Sequence, residues 1–181
     1  MKLHTLWALA LVGAPAAGLS QEMPMMHGQA GAVASVRPLY DMSKGWLIRS
    51  AEQMSEANYA FQPTPEVRTF GQLVGHVANA NYFFCSTVKG ETNPSTGDFE
   101  KTTSKAALVQ ALKDAFAYCD AAYQIADMKA MEEVTLMGSM KGSRLWALMF
   151  NVAHNNEHYG NVVTYFRLKG MVPPSSQGGG M

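Results

Sequence analysis

The sequence has no excess of charge of either sign, because its 14 Lys and Arg residues balance its 14 Asp and Glu residues. Proteins that bind nucleic acid carry basic residues that neutralise phosphates, and no basic run is present here. The composition therefore predicts that nucleic acid is not a partner. Since 48% of the 181 residues are apolar and only 15% are charged, we expect one folded domain with a substantial core.

Long apolar runs are lacking after the N-terminal segment. That segment begins with Lys2, continues with an apolar run at residues 6–12 and ends in small residues at 14–18, which is the order that signal peptidase recognises. The run is too short to span a bilayer. We therefore expect residues 1–20 to be a signal peptide, the protein to be exported to the periplasm or secreted, and no membrane association after cleavage.

Cysteine is scarce, with only Cys85 and Cys119 in the chain. In an exported protein an even pair of cysteines favours one disulfide. Two buried free thiols are the alternative, since free cysteines are common in helical cores.

Both ends of the expected folded domain have compositions typical of flexible chain. Residues 21–34 are rich in Gly, Ala and Met without a clear period, so we expect a flexible leader there. Its residues 23–27 (MPMMH) are compatible with copper(I) binding through thioethers, although a plain leader is the simpler interpretation. We expect residues 35–174 to form the folded bundle and residues 175–181 to be a disordered tail.

Capping residues and prolines divide the folded region into four predicted helices. The expected N-caps are Ser35, Thr69, Ser104 and Ser143. The predicted helices cover about 35–58, 70–88, 104–128 and 144–169. Between the last two, residues 134–136 (VTL) indicate a short extended segment.

An apolar seam with heptad spacing follows the third predicted helix. Its members recur in steps of four and three residues: Leu108, Leu112, Ala115, Cys119, Ala122 and Ala126. Four long helices with little strand signal predict an all-α fold, a four-helix bundle.

Three histidines lie in the predicted helices. His4 falls in the signal peptide and His27 in the leader, which leaves His76 on the second helix and His154 and His158 on the fourth. Residues four apart project from the same face of a helix, so His154 and His158 can reach one ion. His76 can supply a third nitrogen if the second and fourth helices are neighbours. Three protein ligands with open positions are typical of a reactive metal site.

Polar side chains share the helix faces that carry these histidines. Such a lining is costly inside a bundle unless its groups are paired or bind a ligand. The residues concerned are Gln72, Asn79, Asn151, Asn161 and Tyr165.

The segment from His154 to His158 also matches the H-x-x-E-H signature of zinc peptidases, in which Glu157 would be the catalytic base. No Asp or Glu follows Glu157, so the downstream acidic ligand of those enzymes has no counterpart. Glu157 therefore remains a candidate base or a solvated surface residue. Cys-x-x-Cys-His and Glu-x-x-His are absent, which excludes c-type haem attachment and the ferritin-like di-iron pattern.

Several motifs in combination resemble those of the DinB family of four-helix proteins. They cover roughly residues 36–174 and comprise FQPTP from Phe61, TFGQLVGH ending at His76, His154-x-x-x-His158, and YFRLKG from Tyr165 followed by Pro173-Pro174. The resemblance implies a bundle with long crossover connections in which the second and fourth helices face each other. It also implies one divalent metal ion, usually zinc or nickel, on His76, His154 and His158.

The resemblance further implies a metal-dependent enzyme of hydrolase or thiol-transferase type. No catalytic residue is assigned by it, because Tyr159 and Asn161 stand where many members have Arg and Gln. A non-catalytic exported bundle that senses, buffers or holds the metal is the alternative. A small-molecule ligand and a homodimer remain open as partners.

Overall fold

The computed structural model describes residues 31–178 and contains four long helices in that range. The long helices are α1 (Ala32–Gln53), α2 (Phe70–Lys89), α3 (Lys105–Asp120) and α5 (Arg144–Leu168), with a short α4 (Asp127–Ala130) and a hairpin of β1 (Glu133–Leu136) and β2 (Met140–Ser143) before α5. Helix α2 packs against α3 and α5, and α1 completes the bundle against the same two helices. The expected all-α four-helix bundle is confirmed, and the helices that carry the histidines are neighbours.

Local capping signals place both histidine-bearing helices within one residue of the predicted bounds. The Thr69 side chain accepts from the Gln72 amide while the Gln72 side chain accepts from the Thr69 amide, which is a complete capping box. Ser143 caps α5 by accepting from the Trp146 amide. Past the end of α5, Gly170 has a φ of +68°, a conformation that glycine adopts without strain.

Helix α1 begins earlier than predicted, at Ala32 rather than Ser35. Its cap comes from a distant residue, because the Asp127 carboxylate accepts from the amides of Ala32 and Val33 at 3.0 Å each. Ser35 lies inside the helix, where its hydroxyl donates to the Gly31 carbonyl. The expected leader boundary at residue 34 is therefore wrong, and residues 31–34 belong to the bundle.

The same helix also ends earlier than predicted, at Gln53 rather than near residue 58. Met54 turns into an extended conformation and buries its side chain completely. Tyr59 then folds back so that its hydroxyl donates to the Ala51 carbonyl. Burial of two large side chains thus overrides the helical propensity of the segment.

Helix α3 stops at Asp120, so its predicted extension to residue 128 is wrong. Tyr123 leaves helical geometry and stacks its ring on Tyr40, with the ring centroids 3.9 Å apart. Its hydroxyl donates to the Leu148 carbonyl on α5. The apolar seam is buried as far as Ala122, while the expected last member, Ala126, is exposed.

The segment between α4 and α5 forms the short extended structure that the sequence indicated. Strands β1 and β2 pair antiparallel, with Glu133 opposite Ser143 and Leu136 opposite Met140. Leu136 is completely buried, so the hairpin covers one part of the core.

The C-terminal residues of the described range are folded onto the bundle. Residues 174–176 form a turn of 3-10 helix, in which the Ser175 amide donates to the Tyr159 hydroxyl at 2.8 Å. Gln177 and Gln53 exchange side-chain hydrogen bonds. The expectation of a disordered tail is therefore wrong for residues 175–177. The expected signal peptide, most of the expected leader and residues 179–181 lie outside the described residues.

Cys85 and Cys119 form a disulfide that joins α2 to α3, with their Cα atoms 5.2 Å apart. Both residues are completely buried, and the expected pairing is confirmed. Within residues 31–178, no helix is long and apolar enough to cross a membrane.

Reduction of the disulfide should lower the free energy of unfolding by about 2–4 kcal/mol, because the bond closes a long loop in the unfolded chain. Urea unfolding of the oxidised and the reduced protein measures this without any amino-acid substitution. Equal midpoints for the two forms would show that the disulfide contributes nothing.

Candidate metal centre

A buried amide cluster sets the register of α2 against α5. The Asn81 side chain on α2 donates to Asn155 Oδ1 at 3.0 Å, and its oxygen accepts from Asn151 and Asn155 on α5 at 3.1 and 3.2 Å. All three residues are completely buried. Because a buried amide without a partner is costly, this cluster favours one alignment of the two helices.

This alignment brings the three predicted histidines together. The Nε2 atom of His154 lies 3.2 Å from Nε2 of His76 and 3.0 Å from Nε2 of His158. One nitrogen from each ring can be chosen so that all three lie within 4.8 Å of one another. A pair four residues apart on α5 and a single residue on α2 therefore converge on one point.

The spacing of these nitrogens fits ligands that share one ion. Two nitrogens at about 2.0–2.1 Å from an ion lie about 2.9 Å apart at a right angle and about 3.4 Å apart at a tetrahedral angle. The separations of 3.0 and 3.2 Å fall between these values. His154 Nδ1 is buried without a hydrogen-bond partner among the described residues, so Nε2 is the nitrogen through which this ring interacts. Imidazole donors suit zinc, nickel and related divalent metals.

A carboxylate that the sequence analysis did not single out contacts the cluster. Glu100 Oε1 lies 2.7 Å from Nδ1 of His76, and Glu100 Oε2 accepts from Nε of Arg68 at 2.9 Å. Glu100 follows the loop after α2, 24 residues from His76, where no helical period relates the two. The only local signal is Asp98, whose side chain caps the turn by accepting from the Glu100 amide, and it does not indicate the contact with His76.

The other polar residues named from the sequence do not form one group around the histidines. The side-chain nitrogen of Asn161 lies 3.4 Å from Nδ1 of His158, so this residue borders the cluster. Asn79 binds the turn that carries Glu100, and Gln72 is part of the helix cap. Tyr165 donates to the Arg68 carbonyl. Asn151 belongs to the amide cluster described above.

Glu157, the candidate base, is exposed on α5. Its charge acts on His158 by raising the pKa of that ring, against the larger effects that lower it. The side chain of His76 is 24% exposed and that of Glu100 29%, while the ring of Phe84 lies 5.5 Å from His154 on the inner side. The cluster is thus closed by aromatic packing on one side and open to solvent at His76.

A cleft of about 520 Å³ lies beside the cluster at the start of α2. Glu100 and Gln72 are among its lining residues, and Thr69 and Thr102 add hydroxyl groups. The three histidines are not part of the lining. The cleft therefore borders the centre at Glu100, whose carboxylate contacts His76.

Burial and mutual repulsion keep two of the rings neutral in the protein without metal. Burial, followed by the charges of His158 and His76, lowers the pKa of His154 to about 3. Burial, followed by the charge of His76, lowers the pKa of His158 to about 4. Partial burial acts to raise the pKa of Glu100. Hydrogen bonds from Arg68 and His76 nevertheless hold this pKa below its ordinary value. At neutral pH the site thus combines the neutral imidazoles of His154 and His158 with one carboxylate.

The metal-free protein should lose stability as the pH falls from about 7 to about 4. In the unfolded chain both α5 histidines take up protons near pH 6.5, whereas in the folded protein they do so only near pH 3–4. The loss is at most about 1.4 kcal/mol per pH unit for each ring, reduced by solvent screening. Urea midpoints in the presence of a chelator measure it. The His154→Gln His158→Gln variant should give a flatter profile, and identical profiles would contradict the lowered pKa values.

The sequence matches the family model of the DinB superfamily over residues 41–162, a range that includes all three histidines. No curated protein matches the sequence. Among solved structures, a DinB-like protein from Bacillus cereus has a TM-score of 0.67 and 16% identity, with coverage of 77% of this chain and 93% of that one.

Two further solved structures are similar in fold. The DinB-like protein YjoA from Bacillus subtilis has a TM-score of 0.59 and 18% identity, covering 76% of this chain and 93% of that one. A mycothiol-dependent maleylpyruvate isomerase has a TM-score of 0.59 and 16% identity, covering 75% of this chain and 62% of the isomerase. These similarities agree with the bundle described above. Since the family model matches more than half of the sequence, the protein belongs to the DinB superfamily.

Proposed function

We propose that the protein binds one divalent metal ion, zinc or nickel, through His76, His154 and His158 and acts as a metal-dependent enzyme of hydrolase or thiol-transferase type. The convergence of three Nε2 atoms from two helices is the observation that carries this proposal. An ion would satisfy three nitrogens that otherwise have mainly one another as partners.

Different residues of the protein would bind the ion, exclude water and leave a side open to substrate. His154 and His158 are held as a pair by α5 and stay neutral, so their lone pairs are available at physiological pH. Phe84 excludes water from the inner side, and the partly exposed His76 marks the side from which a substrate can approach. When bound, the metal would lower the pKa of a water molecule or a thiol so that either becomes a nucleophile.

The metal-activated nucleophile would be either water or a thiol. One structural neighbour is described as mycothiol-dependent, which supports a thiol as a candidate substrate. The cleft beside Glu100 has room for a small molecule. We also propose that the protein is exported, which the disulfide supports because such bonds persist in oxidising compartments.

Protein purified without a histidine tag should contain about one equivalent of zinc, nickel or a similar ion, since three imidazoles supply a complete protein ligand set. Elemental analysis measures this directly. The His154→Ala His158→Ala variant should lose the metal, whereas Glu157→Gln, which changes an exposed neighbour on the same helix, should keep it. Full occupancy in the double-alanine variant would exclude the three-histidine site.

The metal-loaded protein should turn over at least one substrate from panels of esters, amides and thiol-conjugation reactions, because the His76 side of the site is open. Chelation of the metal and the double-alanine variant should each abolish that turnover. If the loaded protein shows neither turnover nor an exchangeable water at the metal, the enzyme proposal fails. A non-catalytic metal-binding bundle then explains the site better.

A further inference from the structure

We propose that Glu100 is a positioning residue. Its carboxylate holds the ring of His76 so that the Nε2 atom of that ring faces the other two rings of the histidine cluster. This inference rests on the proposed metal site. One of its tests, however, is made on the metal-free protein and is independent of whether a metal binds.

The contact between Glu100 and His76 determines where the ring proton lies. An ionised carboxylate can only accept hydrogen bonds, so at 2.7 Å the Nδ1 atom of His76 carries the proton and donates it to Glu100. In the neutral tautomer that this contact favours, the lone pair is on Nε2, the atom that lies 3.2 Å from Nε2 of His154. One hydrogen bond thus fixes both the tautomer and the direction of the ring, as carboxylates do for many metal-binding histidines.

Glu100 is itself held by Arg68, which in turn contacts α5. Its second oxygen accepts from Nε of Arg68, and the Arg68 carbonyl accepts from the hydroxyl of Tyr165 on α5. A chain of contacts therefore runs from α5 through Arg68 and Glu100 to His76 on α2. An exposed ion pair of this kind contributes little to stability by itself, so its role lies in orientation.

The turn that carries Glu100 is docked on the same face of α2 as His76. Asn79, one turn further along α2, accepts from the Phe99 amide at 3.1 Å and donates to Asp98 at 2.8 Å. Gly75 allows this approach, because a Cβ atom at that position would collide with the Phe99 carbonyl. The turn that carries Glu100 is thus held against α2 by contacts at Asp98 and Phe99.

The other two histidines have no comparable support. His154 Nδ1 has no hydrogen-bond partner among residues 31–178, and His158 Nδ1 meets only the amide nitrogen of Asn161 at 3.4 Å. Within that range, Glu100 is the one carboxylate that bonds to a histidine of the cluster. The two α5 rings are already paired by helix geometry, whereas the ring from α2 needs an external partner to face them.

The first test measures the tautomer of His76 by nitrogen–proton correlation NMR in the metal-free protein. In the neutral ring, wild type should show a proton on Nδ1 and none on Nε2, and Glu100→Ala should lose that preference. Glu91→Ala is the matched control, because Glu91 is an exposed acid paired with Lys89 and Tyr118. A proton on Nε2 in wild type, or an unchanged spectrum in Glu100→Ala, would overturn the inference.

The second test measures metal affinity by competition with a chelator, using zinc as the probe. Glu100→Ala should weaken binding by about 10–100-fold, the range found when such partners are removed. Glu100→Gln should weaken it less, since its amide oxygen still accepts a hydrogen bond, and this variant preserves the shape of the side chain if alanine disturbs the fold. Glu91→Ala should bind as wild type does.

Equal affinity in Glu100→Ala and wild type would overturn the positioning role while leaving the metal site intact. Absence of binding in wild type would instead contradict the proposed function. The tautomer measurement would still decide the role of Glu100 in that case, so the two failures are distinguishable.

Discussion

The alignment of α2 with α5 is the constraint on which the rest of the site depends. It is set by the completely buried side-chain amides of Asn81, Asn151 and Asn155, which hydrogen-bond to one another across the interface. Among residues 31–178, only Oδ1 of Asn151 in this cluster lacks a partner. A slip of one helical turn would move the helices by about 5.4 Å. Such a slip would separate the amides and carry His76 away from the two rings on α5. The same contacts therefore specify both the packing and the site.

The disulfide lies directly beside this amide cluster. Cys85 and Cys119 join α2 to α3, and the side-chain nitrogen of Asn151 lies 3.7 Å from the Cys85 sulfur. Three helices are thus connected through covalent and hydrogen-bonded contacts that are all buried. We infer that a rigid interior lets partly exposed groups at the rim, such as His76 and Glu100, keep a fixed geometry.

Features with local causes could be predicted from the sequence, and features with distant causes could not. The starts of α2 and α5 follow from Thr69 and Ser143, which act within three residues of the helix start. The start of α1 depends instead on Asp127, about 95 residues away. The pairing of His154 with His158 follows from the helical period. Elimination of His4 and His27 left His76 as the third candidate, and the family resemblance assigned all three to one ion. Glu100 belongs to a loop whose position depends on tertiary packing, so no sequence period could reveal it.

X-ray absorption spectroscopy of the purified, tag-free protein tests the central claim most directly. The account predicts a divalent metal with about three nitrogen neighbours near 2.0–2.1 Å and the outer-shell signals of imidazole rings. In the His154→Ala His158→Ala variant those imidazole signals should disappear. A first shell of sulfur atoms, or one of oxygen atoms without imidazole signals, would contradict a centre built on the three histidines.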